Sequence, residues 1–293
     1  MNLNTEDYFF DSVDGLRLYC RIYPAKGSAR LPVLCLPGLT RNSRDFAALA
    51  QHLQPRHEVL TVDLRGRGRS AWDSNPAHYQ LPTYIQDAWS LLESRGLKRV
   101  LVVGTSLGAL MGMVMAAMQP ERMAGVVLND AGPEFDPAGV RRIAAYAGKL
   151  PAVSSWAEAA AQARRVYGLA LPGLTDAQWL DYARCGYREN AAGVPVPDMD
   201  PKIAEAFNNP SAAPADLWPL YAQIKGVPLL VIRGALSDLL SASTLQRMAR
   251  EKPDLQHLTV ANRGHTPLLN EPECLVAIDA FVARHGEGPR HED

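Results

Sequence analysis

No run in the 293-residue chain approaches the roughly 18 consecutive apolar residues of a membrane-spanning helix, which argues against an integral helical membrane protein. Neither charge is in excess. The 30 Lys and Arg against 31 Asp and Glu leave a formal net charge of -1, so there is no electrostatic footprint for nucleic acid or an anionic membrane. Cysteine is scarce: Cys20, Cys35, Cys185 and Cys274 stand far apart with no Cys-x-x-Cys spacing. That pattern argues against a metal site or a disulfide framework and for reduced thiols. The opening MNLNTEDYFFDS lacks the basic-then-apolar order of a secretory signal. These absences predict a cytoplasmic protein with no nucleic-acid partner and no membrane insertion, and leave its oligomeric state open.

What is present is an alternation. Tyr8–Phe10 and Leu16–Tyr23 flank Asp14-Gly15, a strong hairpin signal. Short apolar runs follow at 31–36, 59–62, 100–103, 126–128, 228–232 and 255–260, as expected for strands buried on both faces of a parallel sheet. Helical spacing fills the gaps: 43–53 with Asn42 as N-cap, 83–95, and 107–118, which carries no charge and stops before Pro120. Strands alternating with helices predict an α/β fold, a mostly parallel sheet with helices on both faces. The alternation fails between residues 134 and 218, where Asp136-Pro137, Asp200-Pro201, Ser155-x-x-Glu158 and Thr175-x-x-Gln178 read as helix starts. This predicts an all-helical insertion with a proline-rich exit at Pro210, Pro214 and Pro219. The chain divides accordingly into a core of residues 1–133 and 219–293 and a helical cap of 134–218.

Chemistry concentrates at Gly104-Thr105-Ser106-Leu107-Gly108, a G-x-S-x-G sequence between a predicted strand and a predicted helix. A serine there sits in a strained turn with its hydroxyl pushed above the sheet, and the two glycines allow strand and helix to approach without a Cβ clash. The helix N-terminus beneath it favours negative charge. A serine needs a base. Of seven histidines, His265 follows the last predicted strand in a glycine-containing loop. His52 falls in a helix, His57 and His257 open strands, and His285 and His291 lie in the charged tail. His78, in a loop ahead of the serine, is the remaining rival. The base in turn needs an acid. Asp238, after the strand ending Arg233-Gly234, is favoured by its strand-end position and the order Ser, Asp, His; Asp130, after the preceding strand, is the alternative.

Together these residues resemble the α/β-hydrolase superfamily over nearly the whole chain. The likeness is to its helical-cap branch of epoxide-hydrolase-like and esterase- or lactonase-like members. Asp63-Leu64-Arg65-Gly66-Arg67-Gly68-Arg69-Ser70 looks like the branch's D-x-R-G-x-G-x-S loop, giving Asp63 a structural role, and Leu36-Pro37-Gly38-Leu39 sits where the family has His-Gly-x. The resemblance implies an oxyanion hole made by the backbone N–H groups of Leu39 and Leu107, with no metal or organic cofactor. Two departures stand out. Pro37 replaces the usual histidine, and Ser106 stands where epoxide-opening and dehalogenating members carry aspartate, which argues against both activities. The expected function is hydrolysis of a small carboxylic ester or lactone through an acyl-enzyme. The alternatives are carbon–carbon bond hydrolysis of ring-cleavage products on the same residues, or a non-catalytic ligand receptor with this fold.

The insertion is expected to roof Ser106. Its aromatics, Trp156, Tyr167, Trp179, Tyr182 and Tyr187, with Phe135 and Tyr146 near its entry, read first as packing between cap and core. Arg41 is a candidate for a substrate carboxylate. Arg141-Arg142 and Arg164-Arg165 read as solvated helix faces.

Overall fold

A computed structural model describes residues 4–27, 30–207 and 216–287. His291, Pro210 and Pro214 lie outside the described residues. Strands β1 (Glu6–Asp11), β2 (Arg17–Tyr23), β3 (Val33–Leu36), β4 (Val59–Asp63), β5 (Val100–Thr105) and β6 (Met123–Asn129) precede the insertion. The short pair β7 (Tyr187–Glu189) and β8 (Pro195–Pro197) lies within it, and β9 (Leu229–Gly234) and β10 (Gln256–Val260) follow. Eight of these form one sheet in the order β1-β2-β4-β3-β5-β6-β9-β10. From β4 to β10 all neighbours are parallel; β2 runs antiparallel to both β1 and β4.

The apolar runs form strands because alternate residues feed different cores. Leu34, Leu36, Val102 and Val231 face one hydrophobic cluster, and Val33, Cys35, Val103 and Ile232 face the other. Helices α1 (Ala47–Leu53), α2 (Leu81–Ser94) and α3 (Leu107–Met118) belong to the first part of the core. Residues 137–221 then contribute α4 (Pro137–Tyr146), α5 (Trp156–Tyr167), α6 (Asp176–Gly186), α7 (Lys202–Phe207) and α8 (Trp218–Tyr221). The chain closes with α9 (Ala242–Glu251) and α10 (Pro272–His285). Helices α1 and α10 cover one face, with Leu49, Leu53, Ile278 and Phe281 buried there. Helices α2, α3, α8 and α9 cover the other with residues such as Leu91, Met111, Tyr221 and Met248. The four cysteines are free thiols. No helix of the described residues is long and apolar enough to cross a membrane.

The helix starts expected in the insertion are present. The side chains of Asp136, Ser155, Thr175 and Asp200 accept from Ala138, Glu158, Gln178 and Lys202 N–H. Only Thr175 completes a capping box; Glu158 turns back to the Ser154 N–H instead. The insertion is not all-helical, however. Strands β7 and β8 make an antiparallel hairpin, closed by Asn190 Oδ1 accepting from Ala192 and Val194 N–H and by Gly193 at φ +73°. Two of the three residues of β8 are proline, a residue tolerated only where no ladder N–H is needed. That is why the segment carries no strand signature.

Candidate active site

Strand β5 ends in the turn that places Ser106 at φ 53° and ψ -111°. A Cβ at Gly104 would overlap the Gly108 carbonyl, and one at Gly108 would overlap the Leu36 carbonyl of β3. The glycines are therefore demanded by three backbones meeting under one serine. Donation of the Ser106 N–H to the Asn129 carbonyl at 2.9 Å ties the turn to the end of β6.

His265 Nε2 lies 2.9 Å from Ser106 Oγ, and His265 Nδ1 lies 2.8 Å from Asp130 Oδ2. The carboxylate only accepts, so Nδ1 carries the proton and Nε2 is left to accept from the serine hydroxyl. Asp130 is fully buried, and His265 is buried with it. The carboxylate also accepts from Gly234 N–H at 2.8 Å and Ser237 Oγ–H at 2.6 Å, so each oxygen is satisfied without water. The histidine loop is anchored separately, by Asn129 Nδ2 donating to the Pro267 carbonyl at 3.0 Å.

Asp238, the acid favoured from sequence, is elsewhere. It accepts a bidentate pair of hydrogen bonds from Arg142 Nε and Nη2, at 2.6 and 2.8 Å, which hold its carboxyl below the ordinary range. Arg142 is correspondingly not a solvated face but a partner in that pair. The reason is topological. Strand β6 lies beside β5 in the sheet, and Asp130 follows its last residue directly, at φ 55°. Strand β9 lies one place further away, and Asp238 is four residues past its end. The end of β9 and the loop after it still reach Asp130, through Gly234 and Ser237. The order Ser, Asp, His did not discriminate, since both aspartates satisfy it. The usable signal was a strand-end aspartate on the strand immediately following the serine's own helix.

The loop 37–40 runs alongside: a Cβ on Gly38 would lie 3.7 Å from Ser106 Cβ. The Gly38 carbonyl accepts from Arg41 N–H at 3.2 Å, which fixes the peptide unit bearing the Leu39 N–H. Leu107 opens α3, so its N–H has no intrahelical acceptor. Pro37 itself brings no side-chain donor to this loop. The fully buried Arg67 supplies the anchor from the other side, donating Nε–H to the Leu39 carbonyl at 2.7 Å while its guanidinium lies 4.8 Å from the Tyr84 ring centre. Asp63 is structural. It accepts from the Ser43 and Arg69 N–H groups at 2.8 Å, and a Cβ at Gly68 would overlap its carboxylate.

A cavity of about 350 Å³ opens over Ser106 and His265. Arg41, Tyr146, Tyr167 and Tyr182 line it, whereas Trp179 and Tyr187 pack inside the insertion's own core. The tyrosines touch edge to face, Tyr146 to Tyr167 at 5.4 Å and Tyr167 to Tyr182 at 5.2 Å between ring centres. Burial pushes the Tyr146 and Tyr182 phenols well above their ordinary range. They therefore meet a ligand as neutral hydroxyls.

Three of the other histidines have partners away from Ser106. His52 pairs with Asp279, His57 with the Leu31 carbonyl, and His78 with Asp73. Asp14, Asp73 and His78 approach one another closely enough to hold a metal ion. Arg65 Nη1, at 2.9 Å from Asp14 and 2.6 Å from Asp73, is already the cation of that cluster.

Residues 32–272 match the alpha/beta hydrolase fold family, and the chain belongs to it. Among curated relatives, it is 31% identical over 265 residues to a 3-hydroxybutyrate-oligomer hydrolase of Cupriavidus necator, covering 85% of this chain and 87% of that one. It is 28% identical to a 2-(acetamidomethylene)succinate hydrolase of Mesorhizobium japonicum, covering 88% and 89%. Among solved structures, an alpha/beta hydrolase from Novosphingobium aromaticivorans superposes with a TM-score of 0.91 at 42% identity, over 97% of this chain and all of that one.

Proposed function

We propose that the protein is a serine hydrolase of small carboxylic esters, working through an acyl-enzyme. The observation that carries this reading is the continuous chain Ser106 Oγ, His265 Nε2, His265 Nδ1, Asp130 Oδ2, with both links below 3 Å. His265 takes the Ser106 proton as Oγ bonds to the ester carbonyl carbon. The carbonyl oxygen becomes an oxyanion held by the Leu39 and Leu107 N–H groups, each such donor being worth about 3 kcal/mol. The carbon–oxygen bond to the leaving group breaks as His265 returns the proton to it, releasing an alcohol. Water then repeats the sequence on the acyl-serine, releasing the acid and restoring the hydroxyl. The insertion of residues 134–218 acts as a cap that shapes the substrate cavity. The hydrolase of hydroxybutyrate oligomers among the relatives supports an ester over a carbon–carbon bond as the scissile group.

A panel of p-nitrophenyl esters, lactones and vinylogous diketones, with Ser106→Ala as control, tests the reading. Esters or lactones should turn over, with kcat falling on the order of 10⁶-fold in Ser106→Ala. A fluorophosphonate should label the native serine. Turnover of the diketones alone would transfer the assignment to carbon–carbon hydrolysis, and absence of both labelling and turnover would favour a receptor.

A further inference from the structure

The cavity over Ser106 shares a wall with a second one. Thr40, Arg41, Tyr146 and Tyr167 line both, and the second has a volume of about 470 Å³. Beyond the shared wall its lining is largely hydrocarbon, including Leu150, Ala163, Ala183, Val196 and Met199. Nothing in the acyl-enzyme chemistry needs this space, since the cavity over Ser106 has room of its own for a small ester.

Arg41 stands at the junction, its side chain only 13% exposed. Nε and Nη2 donate to Asp45 at 2.7 and 2.6 Å, and the guanidinium lies 4.2 Å from the Tyr182 ring centre. Nη1 has no acceptor among the described residues. It faces Gly186, where a Cβ would come within 2.6 Å of it, and Gly186 lines the second cavity. An N–H group left free at the edge of a cavity is a donor that an acceptor oxygen on a ligand can take. Asp45 already neutralises the guanidinium, so the oxygen that fits is that of a neutral carbonyl rather than a second carboxylate.

We propose that the second cavity is a distal substrate subsite. On this view the natural substrate is an extended oligomeric ester, its scissile carbonyl at Ser106 and its neighbouring carbonyl on Arg41 Nη1. The apolar remainder of the chain fills the second cavity. This rests on the ester-hydrolase reading and adds the length and composition of the substrate. A combined space of two such cavities falls within the usual range for ligands much larger than a single acyl group.

The test is the dependence of kcat/KM on chain length, measured with a monomer, dimer and trimer of a hydroxyalkanoate ester. The native enzyme should favour the trimer over the monomer by about tenfold or more. Val196→Phe, which projects a ring into the second cavity, should collapse that ratio towards one, and Val196→Leu, a milder filling, should lower it partway. Arg41→Met should raise KM for the dimer and trimer more than for the monomer, with Arg41→Lys recovering part of the loss. Equal kcat/KM for all lengths in the native enzyme, or a ratio that neither Val196 variant moves, would overturn the distal subsite and leave ester hydrolysis standing. Failure to cleave any ester of the series, with no labelling of Ser106, would remove both.

Discussion

The strand ends that carry Ser106 and Asp130 differ from the insertion above them in how much freedom each leaves a side chain. At the strand ends, backbone meets backbone: Gly104, Gly108 and the Leu36 carbonyl leave no room for a single Cβ. Asp130, with four short contacts to β9, the loop after it and His265, is equally constrained. In the insertion, Gly173 and Gly193 serve turns with open space around them, and tyrosines rather than backbone line the cavity. On the proposed reading, the reacting groups stand where backbone packing leaves no room, and the tyrosines that line the cavity stand where side chains do the packing.

The sharpest way to break this contrast uses the two aspartates. Asp130→Asn should lower kcat by about 10⁴-fold, because an amide in that place no longer fixes the imidazole tautomer. Asp238→Asn, at the contact with α4, should lower it by less than about tenfold. Steady-state kinetics on one ester decides the matter, and comparable losses in both variants would end the distinction. A smaller effect separates the glycines. Gly108→Ala should destabilise the fold by about 3 kcal/mol or more, since neither backbone can give way. Gly173→Ala, whose cost is only its φ of +82°, should lose about 1 kcal/mol in urea denaturation. Equal losses would show that the strand ends can relax after all.

The smallest effect concerns pH. Hydrogen bonds from Arg69, with Tyr19 adding to them, hold the Asp7 carboxyl down to about 2. A folded value below the unfolded one of roughly 4 contributes stability that is present above pH 4 and is lost as the pH falls towards 2. Glu158, on the insertion, is lowered in the same direction by the Ser154 N–H but is fully exposed. Denaturation midpoints followed from pH 5 to pH 2 should decline, with a shallower decline in Asp7→Asn and little change of slope in Glu158→Gln. A slope unaltered in Asp7→Asn would remove Asp7 from the account.

Much of the core was legible beforehand because a parallel sheet buried on both faces writes itself as short apolar runs, such as LPVLCL at 31–36. Ser106 was legible because two glycines at fixed offsets serve a single local turn. The hairpin at 187–197 was hidden because prolines at 195 and 197 carry the opposite signal, and pairing across the Asn190–Gly193 turn overrides it. Arg142 looked like a solvated face because helical spacing reports the helix, not what a distant loop brings against it.

The chain's own pattern of residues determined the fold class, the turn that carries Ser106 and the loop that carries His265, since each depends on neighbours within a few positions. Which carboxylate stands behind that imidazole was decided only by strand order, which puts β6 beside β5 and β9 beyond it. Likewise, Arg41 faces a second cavity only because the insertion folds back over the sheet. Contacts between residues a hundred positions apart depend on packing of whole layers, and no local stretch carries that information.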